Sequence, residues 1–149
     1  MRCVVQRVKS AEVWIQNQLY SQIGKGYLAF VGVEENDSEQ DAEYIANKLM
    51  RLRVISDDKD QMNLSITQTK GEILLVSQFT LLGDARHGNR PSFSKAMEPS
   101  QAALLIESVA AKIRGAGIAM QEGRFGADME VRLKNDGPVT ILLDSHRLF

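Results

Sequence analysis

Two short segments carry polar groups where a plain fold has no need of them. In Ser77-Gln78-Phe79-Thr80-Leu81, two hydroxyls and an amide follow directly on the apolar run Ile73-Leu74-Leu75-Val76. A strand ending this way lines a pocket or simply meets solvent, and spacing alone does not choose between the two. The second segment is Asn135-Asp136-Gly137-Pro138-Val139-Thr140. A proline there removes one donor from a strand ladder. Glycine before proline leaves a corner that presents carbonyls, at the one kind of peptide bond that is readily cis. Those carbonyls can face a ligand's ammonium group, although a plain hairpin turn uses the same residue types. The loop Arg86 to Lys95 is the densest basic stretch that also holds an aromatic residue. Arg86, Arg90 and Lys95 suit phosphate contacts to RNA, or equally an ordinary solvated loop.

Other reactive side chains are poorly placed for chemistry. His87 and His146 lie far apart in different segments, and the carboxylates show no ligand spacing, so no metal site is expected. Asp144, Ser145 and His146 are sequence neighbours, and neighbours on a strand point to opposite faces. No Gly-x-Ser-x-Gly elbow occurs. Cys3 has no nearby base and reads as a buried strand thiol. Gly24-Lys25-Gly26 lacks the phosphate-loop spacing and reads as a turn.

The elements that must position these groups follow from periodicity. Cys3–Val8 alternates, Val13–Ile15 follows, and Gln16-Asn17-Gln18 turns the chain into a strand over Leu19–Ile23. Tyr27–Val33 is apolar on both parities, which predicts burial on both faces. Ser38 and Asp41 form a capping pattern, and Ala42, Ile45, Ala46 and Leu49 recur at helical spacing. A strand is expected from Glu72 towards Leu81, with a polar end. Pro99 suits a first helical turn, Gln101–Arg114 reads as a helix, and Gly115 and Gly117 stop it. Ile118–Gln121 is a short strand. Met129–Lys134 alternates cleanly, Asn135-Asp136-Gly137 signals a turn, and Val139–Leu143 is the return strand. About eight strands and two helices result. The expected class is α/β, of an α+β-like kind: mixed, mainly antiparallel, barrel-like sheets with two main helices packed outside.

A chain of 149 residues with 44% hydrophobic and 25% charged residues fits one globular domain, residues 1–149, and excludes disorder and fibrous repeats. No apolar run approaches the ~18 residues that span a bilayer, and MRCVVQRVKS has no signal-peptide core, so no membrane association is expected. A single cysteine excludes an internal disulfide and points to the cytoplasm. A net charge of −1 supplies no global positive field, so any nucleic-acid contact needs a local patch.

Taken together, Ser77-Gln78-Phe79-Thr80-Leu81 and Asn135-Asp136-Gly137-Pro138-Val139-Thr140 resemble the two signature motifs of the D-aminoacyl-tRNA deacylase family. The resemblance covers the whole chain: Met1–Val8 resembles the family's first strand, Asn89-Arg90-Pro91-Ser92-Phe93 its characteristic loop, and Leu143-Asp144-Ser145 its end. Asp84–His87 is the least family-typical stretch. The resemblance implies hydrolysis of the ester between a D-amino acid, or mischarged glycine, and the 3′-terminal adenosine of tRNA. It implies a cytosolic homodimer with each site at the subunit interface, and chemistry without metal or cofactor. It also implies a cis Gly137-Pro138 peptide that reaches into the partner's pocket and rejects L-aminoacyl-tRNA by steric exclusion.

For the site, the resemblance implies a catalytic segment of Ser77, Gln78, Phe79 and Thr80. Backbone N–H groups near Phe79 and Thr80 would hold the oxyanion. Thr80 is either a nucleophile or a positioning group that works with the ribose 2′-OH, and the lack of a visible base beside it favours positioning. Gln78 would orient substrate or water. Met129 and Phe125 would line the pocket or merely pack, and Arg7, Asn135 and Thr140 would support the Gly-Pro corner. A reading of another class is a non-catalytic nucleic-acid-binding module on the same scaffold, since relatives of this fold are linked to DNA unwinding-element binding.

Overall fold

The computed structural model describes residues 1–149. Strand β1 (Arg2–Ile15) is its spine. Arg2–Val8 pairs antiparallel with β3 (Gly26–Gly32), while Ala11–Ile15 pairs antiparallel with β2 (Gln18–Ile23). Gln16 and Asn17, at φ 50° and 61°, make the two-residue turn between β1 and β2. Left-handed backbone at both turn positions matches the twist of the flanking strands.

Strand β6 (Glu72–Ser77) lies parallel to β3, and β7 (Met120–Glu122) parallel to β6. Parallel neighbours need a crossover. Helix α1 (Glu39–Arg51) lies in the first and α2 (Pro99–Gly115) in the second, and the two helices pack against each other. The caps are local. The Asp41 carboxylate accepts from the Ser38 N–H at 2.8 Å, and Glu98 accepts from Ser100 and Gln101 N–H at 3.0 and 3.3 Å. Ser21 on β2 donates its hydroxyl to the Glu122 carbonyl on β7 at 2.8 Å, so the sheet curls almost into a closed barrel.

Each face of the central strands is buried, as their apolar composition predicts. Val8, Ala11, Val13, Ile23, Leu28, Leu74 and Val76 fill the curl of the sheet. Tyr27, Ala29, Ile73 and Leu75 point the other way, into a cluster with Ile45 and Leu49 of α1 and Val109 and Ile113 of α2.

Three expectations are corrected. The strand from Glu72 ends at Ser77, and Phe79–Leu82 is a 3-10 turn. The turn carries Leu82 to 1% exposure against Gly32, which continued extension would not do. The short strand after α2 is Met120–Glu122, because Ile118 is taken up by the helix-side core. The Asn135–Gly137 signal is not a hairpin. Strand β8 (Glu130–Asp144) runs along β1 on both sides of it, with Asn135 opposite Val8 and Thr140 opposite Gln6. Asp136, Gly137, Pro138 and Val139 therefore face Arg7 alone and are extruded as a wide bulge. The tally of eight strands and two helices holds, because a short hairpin of β4 (Ile55–Ser56) and β5 (Met62–Leu64) offsets the two strands lost when Cys3–Val8 joins Val13–Ile15 in β1 and Met129–Lys134 joins Val139–Leu143 in β8.

Candidate active site

Where β6 stops, the Gln78 N–H still donates to the Val31 carbonyl at 2.8 Å, and the chain then coils. Leu81 N–H returns to the Gln78 carbonyl at 3.3 Å and Gly83 N–H to the Thr80 carbonyl at 3.0 Å. The amides of Phe79 and Thr80 open this turn and have no acceptor within it. Gly32 permits the close approach: a Cβ there would lie 2.7 Å from the Gln78 carbonyl oxygen.

A cavity of about 520 Å³ lies at this strand end. Ser77, Gln78 and Phe79 line one side, and Phe125, Asp128 and Met129 the other. The structure thus brings together five residues expected at the site. Phe79 is 60% exposed and meets Phe93 edge-on, with ring centroids 5.2 Å apart. Thr80 is exposed beside the cavity and does not line it. The Gln78 amide donates to the Thr80 hydroxyl. Asp128 is the cavity's one carboxylate and had no sequence signal, being an isolated acid in a loop.

The second motif lies elsewhere in the chain. The Gly137–Pro138 peptide is cis, with Gly137 at φ 120°. Arg7 braces this bulge: its Nε donates to the Asp136 carbonyl at 3.0 Å and lies 3.6 Å from the Asp136 carboxylate, and its Nη1 donates to the Val54 carbonyl at 2.6 Å. Thr140 accepts from the Gln6 amide at 3.4 Å, and Asn135 is exposed on the ladder opposite Val8. Arg7 and Asp136 line a different cavity from Ser77 and Gln78.

The basic loop divides. Arg86 and Lys95 line one shallow cavity with Arg2, and Arg90 is exposed outside it. The Arg86 Nε donates to Asp84 at 2.9 Å, and this bidentate contact holds the Asp84 carboxyl well below the usual carboxylate range. The dismissed triad is structural. The Met1 ammonium donates to Ser145 Oγ at 2.6 Å, Asp144 accepts from Arg2 at 3.3 Å, and His146 Nε2 lies 2.9 Å from Asp37. Asp37, Asp41 and His146 do bring possible ligand atoms within 4.8 Å of one another, which the sequence reading missed because the three come from distant segments. The Met1 ammonium, 2.6 Å from Asp37, already supplies a cation there. Burial pushes the Cys3 thiol well above its ordinary value, so it is neither a ready nucleophile nor a ready ligand.

The sequence and the fold have close counterparts. The family described as D-Tyr-tRNA(Tyr) deacylase matches residues 4–144. The D-aminoacyl-tRNA deacylase of Thermosipho melanesiensis is 51% identical over 150 residues, with all of both chains covered. That of Anaeromyxobacter dehalogenans is 51% identical over 149 residues, again with both chains fully covered. Among solved structures, the c-Myc DNA unwinding element binding protein superposes with a TM-score of 0.91 at 36% identity, over 97% of this chain and 98% of that one. A probable eukaryotic D-amino acid tRNA deacylase shares the fold at a TM-score of 0.81 and 16% identity, over 95% and 97% of the two chains. The family match and the full-length relatives make this chain a hydrolase. The chain belongs to the D-Tyr-tRNA(Tyr) deacylase family.

Proposed function

We propose that this enzyme hydrolyses the ester of D-aminoacyl-tRNA, and of glycine mischarged on tRNA, while leaving L-aminoacyl-tRNA intact. The observation that carries the reading is the separation of the two motifs. Ser77, Gln78 and Phe79 line a cavity with Phe125 and Met129, while the Gly137-Pro138 corner projects from a bulge beside another cavity. A two-fold dimer resolves this, with the corner of one protomer entering the partner's pocket.

In that assembly the aminoacyl group sits between the two motifs. The Phe79 and Thr80 amides, free of partners within their turn, donate to the oxyanion that forms as the ester carbonyl is attacked. Water adds to the carbonyl carbon, and the ribose oxygen leaves with a proton, giving free amino acid and tRNA. Gln78 and Thr80 form one hydrogen-bonded unit that positions water and substrate, alongside the terminal ribose 2′-OH. The corner presents backbone carbonyls to the substrate ammonium and a wall to one side of its α-carbon. An L side chain meets that wall, a D side chain points away, and glycine has nothing to exclude. Exclusion by backbone leaves the nature of the D side chain largely free.

The reaction belongs in the cytoplasm, where tRNA is charged; no helix is long and apolar enough to cross a membrane. Deacylation of matched D- and L-tyrosyl-tRNA tests the proposal. Release of D-tyrosine only is expected, and an intact D-ester defeats it. The 36% identity to the c-Myc DNA unwinding element binding protein favours one other reading, a nucleic-acid-binding module. That reading predicts tight binding of nucleic acid with the ester left intact.

A further inference from the structure

Beneath the Gly137-Pro138 bulge lies a cavity of about 350 Å³ that the chemistry above does not use. Arg7, Lys25 and Lys70 line it with the hydroxyl residues Ser56 and Thr69, and Asp136 is its only carboxylate. Arg7 is occupied by Asp136 and by the Asp136 and Val54 carbonyls. Lys25 and Lys70 make no ion pair. The nearby Glu72 carboxylate turns away to the Gly24 N–H, which it accepts at 2.6 Å. Two exposed lysines without an ion pair therefore line one cavity, in a chain whose net charge is −1.

The topology explains why they share it. Lys25 precedes β3 and Lys70 precedes β6, and these strands are parallel with Gly26 opposite Glu72. Parallel register brings the residues before the two strands to the same sheet end. The basic loop at Arg86–Lys95 offers less, because Asp84 neutralises Arg86.

We infer that this cavity binds a backbone phosphate of the substrate's RNA, with Lys25 and Lys70 as the contacting cations and Ser56 as a hydroxyl donor. The inference rests on the deacylase reading. If Gly137-Pro138 enters the partner's pocket, the cavity beneath that corner borders the same pocket. A strand whose 3′ end is held there passes over the two lysines. Ammonium groups are compact point charges that suit a phosphate without demanding one orientation.

The test compares two substrates that share the ester but not the phosphates, D-tyrosyl-tRNA and D-tyrosyl-adenosine, with parent protein and a Lys25→Ala/Lys70→Ala double variant. For the tRNA, KM should rise about tenfold, and the log–log salt dependence of kcat/KM should flatten by about 1.4, the value for two single-strand phosphate contacts. Turnover of D-tyrosyl-adenosine should not change, and Lys25→Arg/Lys70→Arg should restore most of the tRNA affinity. An unchanged KM and salt slope with tRNA overturns the inference. So does an equal loss on both substrates, which would mean that the lysines act on the corner rather than on RNA. A parent protein inactive on both substrates would defeat the deacylase reading itself.

Discussion

Thr80 shows how a hydrogen bond limits a chemical role. A nucleophilic hydroxyl needs a neighbour that takes its proton. Here its close partner is the Gln78 amide, which donates to it. Thr80→Ala should therefore keep measurable deacylation, and mass spectrometry of quenched parent reactions should find no aminoacylated Thr80. A dead variant together with that adduct would make Thr80 the nucleophile. Since Thr80 is exposed, stability should change by less than about 0.5 kcal/mol. Gly137 is constrained differently. Its φ of 120° is one that L side chains rarely adopt, and an added Cβ would lie 2.9 Å from the Arg7 guanidinium. Gly137→Ala should cost about 1–3 kcal/mol in denaturant unfolding and displace the corner. The ratio of D- to L-tyrosyl-tRNA deacylation should fall, and an unchanged ratio would place selectivity elsewhere.

At the scale of elements, the close packing of β3 under the 3-10 turn sets the shape of the pocket. A Cβ on Gly32 would lie 2.6 Å from Leu82 Cδ2 and 2.7 Å from the Gln78 carbonyl oxygen. Gly32→Ala should cost about 1–3 kcal/mol by overpacking. It should also lower kcat, because the Phe79 and Thr80 amides move with the turn; an unchanged kcat would separate those amides from the chemistry. The elements themselves were largely legible. The doubly apolar Tyr27–Val33 run and the Ser38–Asp41 cap gave a buried strand and a helix where the structure has them. The misreadings share a cause. Asn-Asp-Gly-Pro supplies turn chemistry to a bulge as readily as to a hairpin, and only pairing with β1 decides which one forms. Ser77, Gln78 and Phe79 were found through family resemblance, since a polar strand end alone fits solvent as well. The pairing of Lys25 with Lys70 was not legible at all, because it depends on the parallel register of β3 and β6.

For the whole molecule, the proposed dimer makes a sharp claim: each chain would hold half of each site. Mixing two defective proteins tests this directly. A Gln78→Ala protein has an impaired pocket and a sound corner, and an Arg7→Ala protein has the reverse. After the two are unfolded and refolded together, random assortment makes half the dimers mixed, each with one sound site. Activity should recover to about one quarter of the parent level. No recovery would mean that pocket and corner act within one chain, or that the dimer does not form. Light scattering on the same samples separates these two outcomes.

The bulge on β8 also bears on how selectivity can change over time. The ladder with β1 resumes at Thr140 opposite Gln6, having left off at Asn135 opposite Val8 beside a further shift between Val8 and Ser10. Between those anchors the chain is a cassette whose length and composition do not enter the register on either side. An inserted or deleted residue there would leave every inward-facing side chain of β1 and β8 where it is, whereas a similar change in a ladder segment would turn the strand inside out. On the proposed reading, the segment that chooses among substrates can thus change length without shifting the register of the strands that flank it.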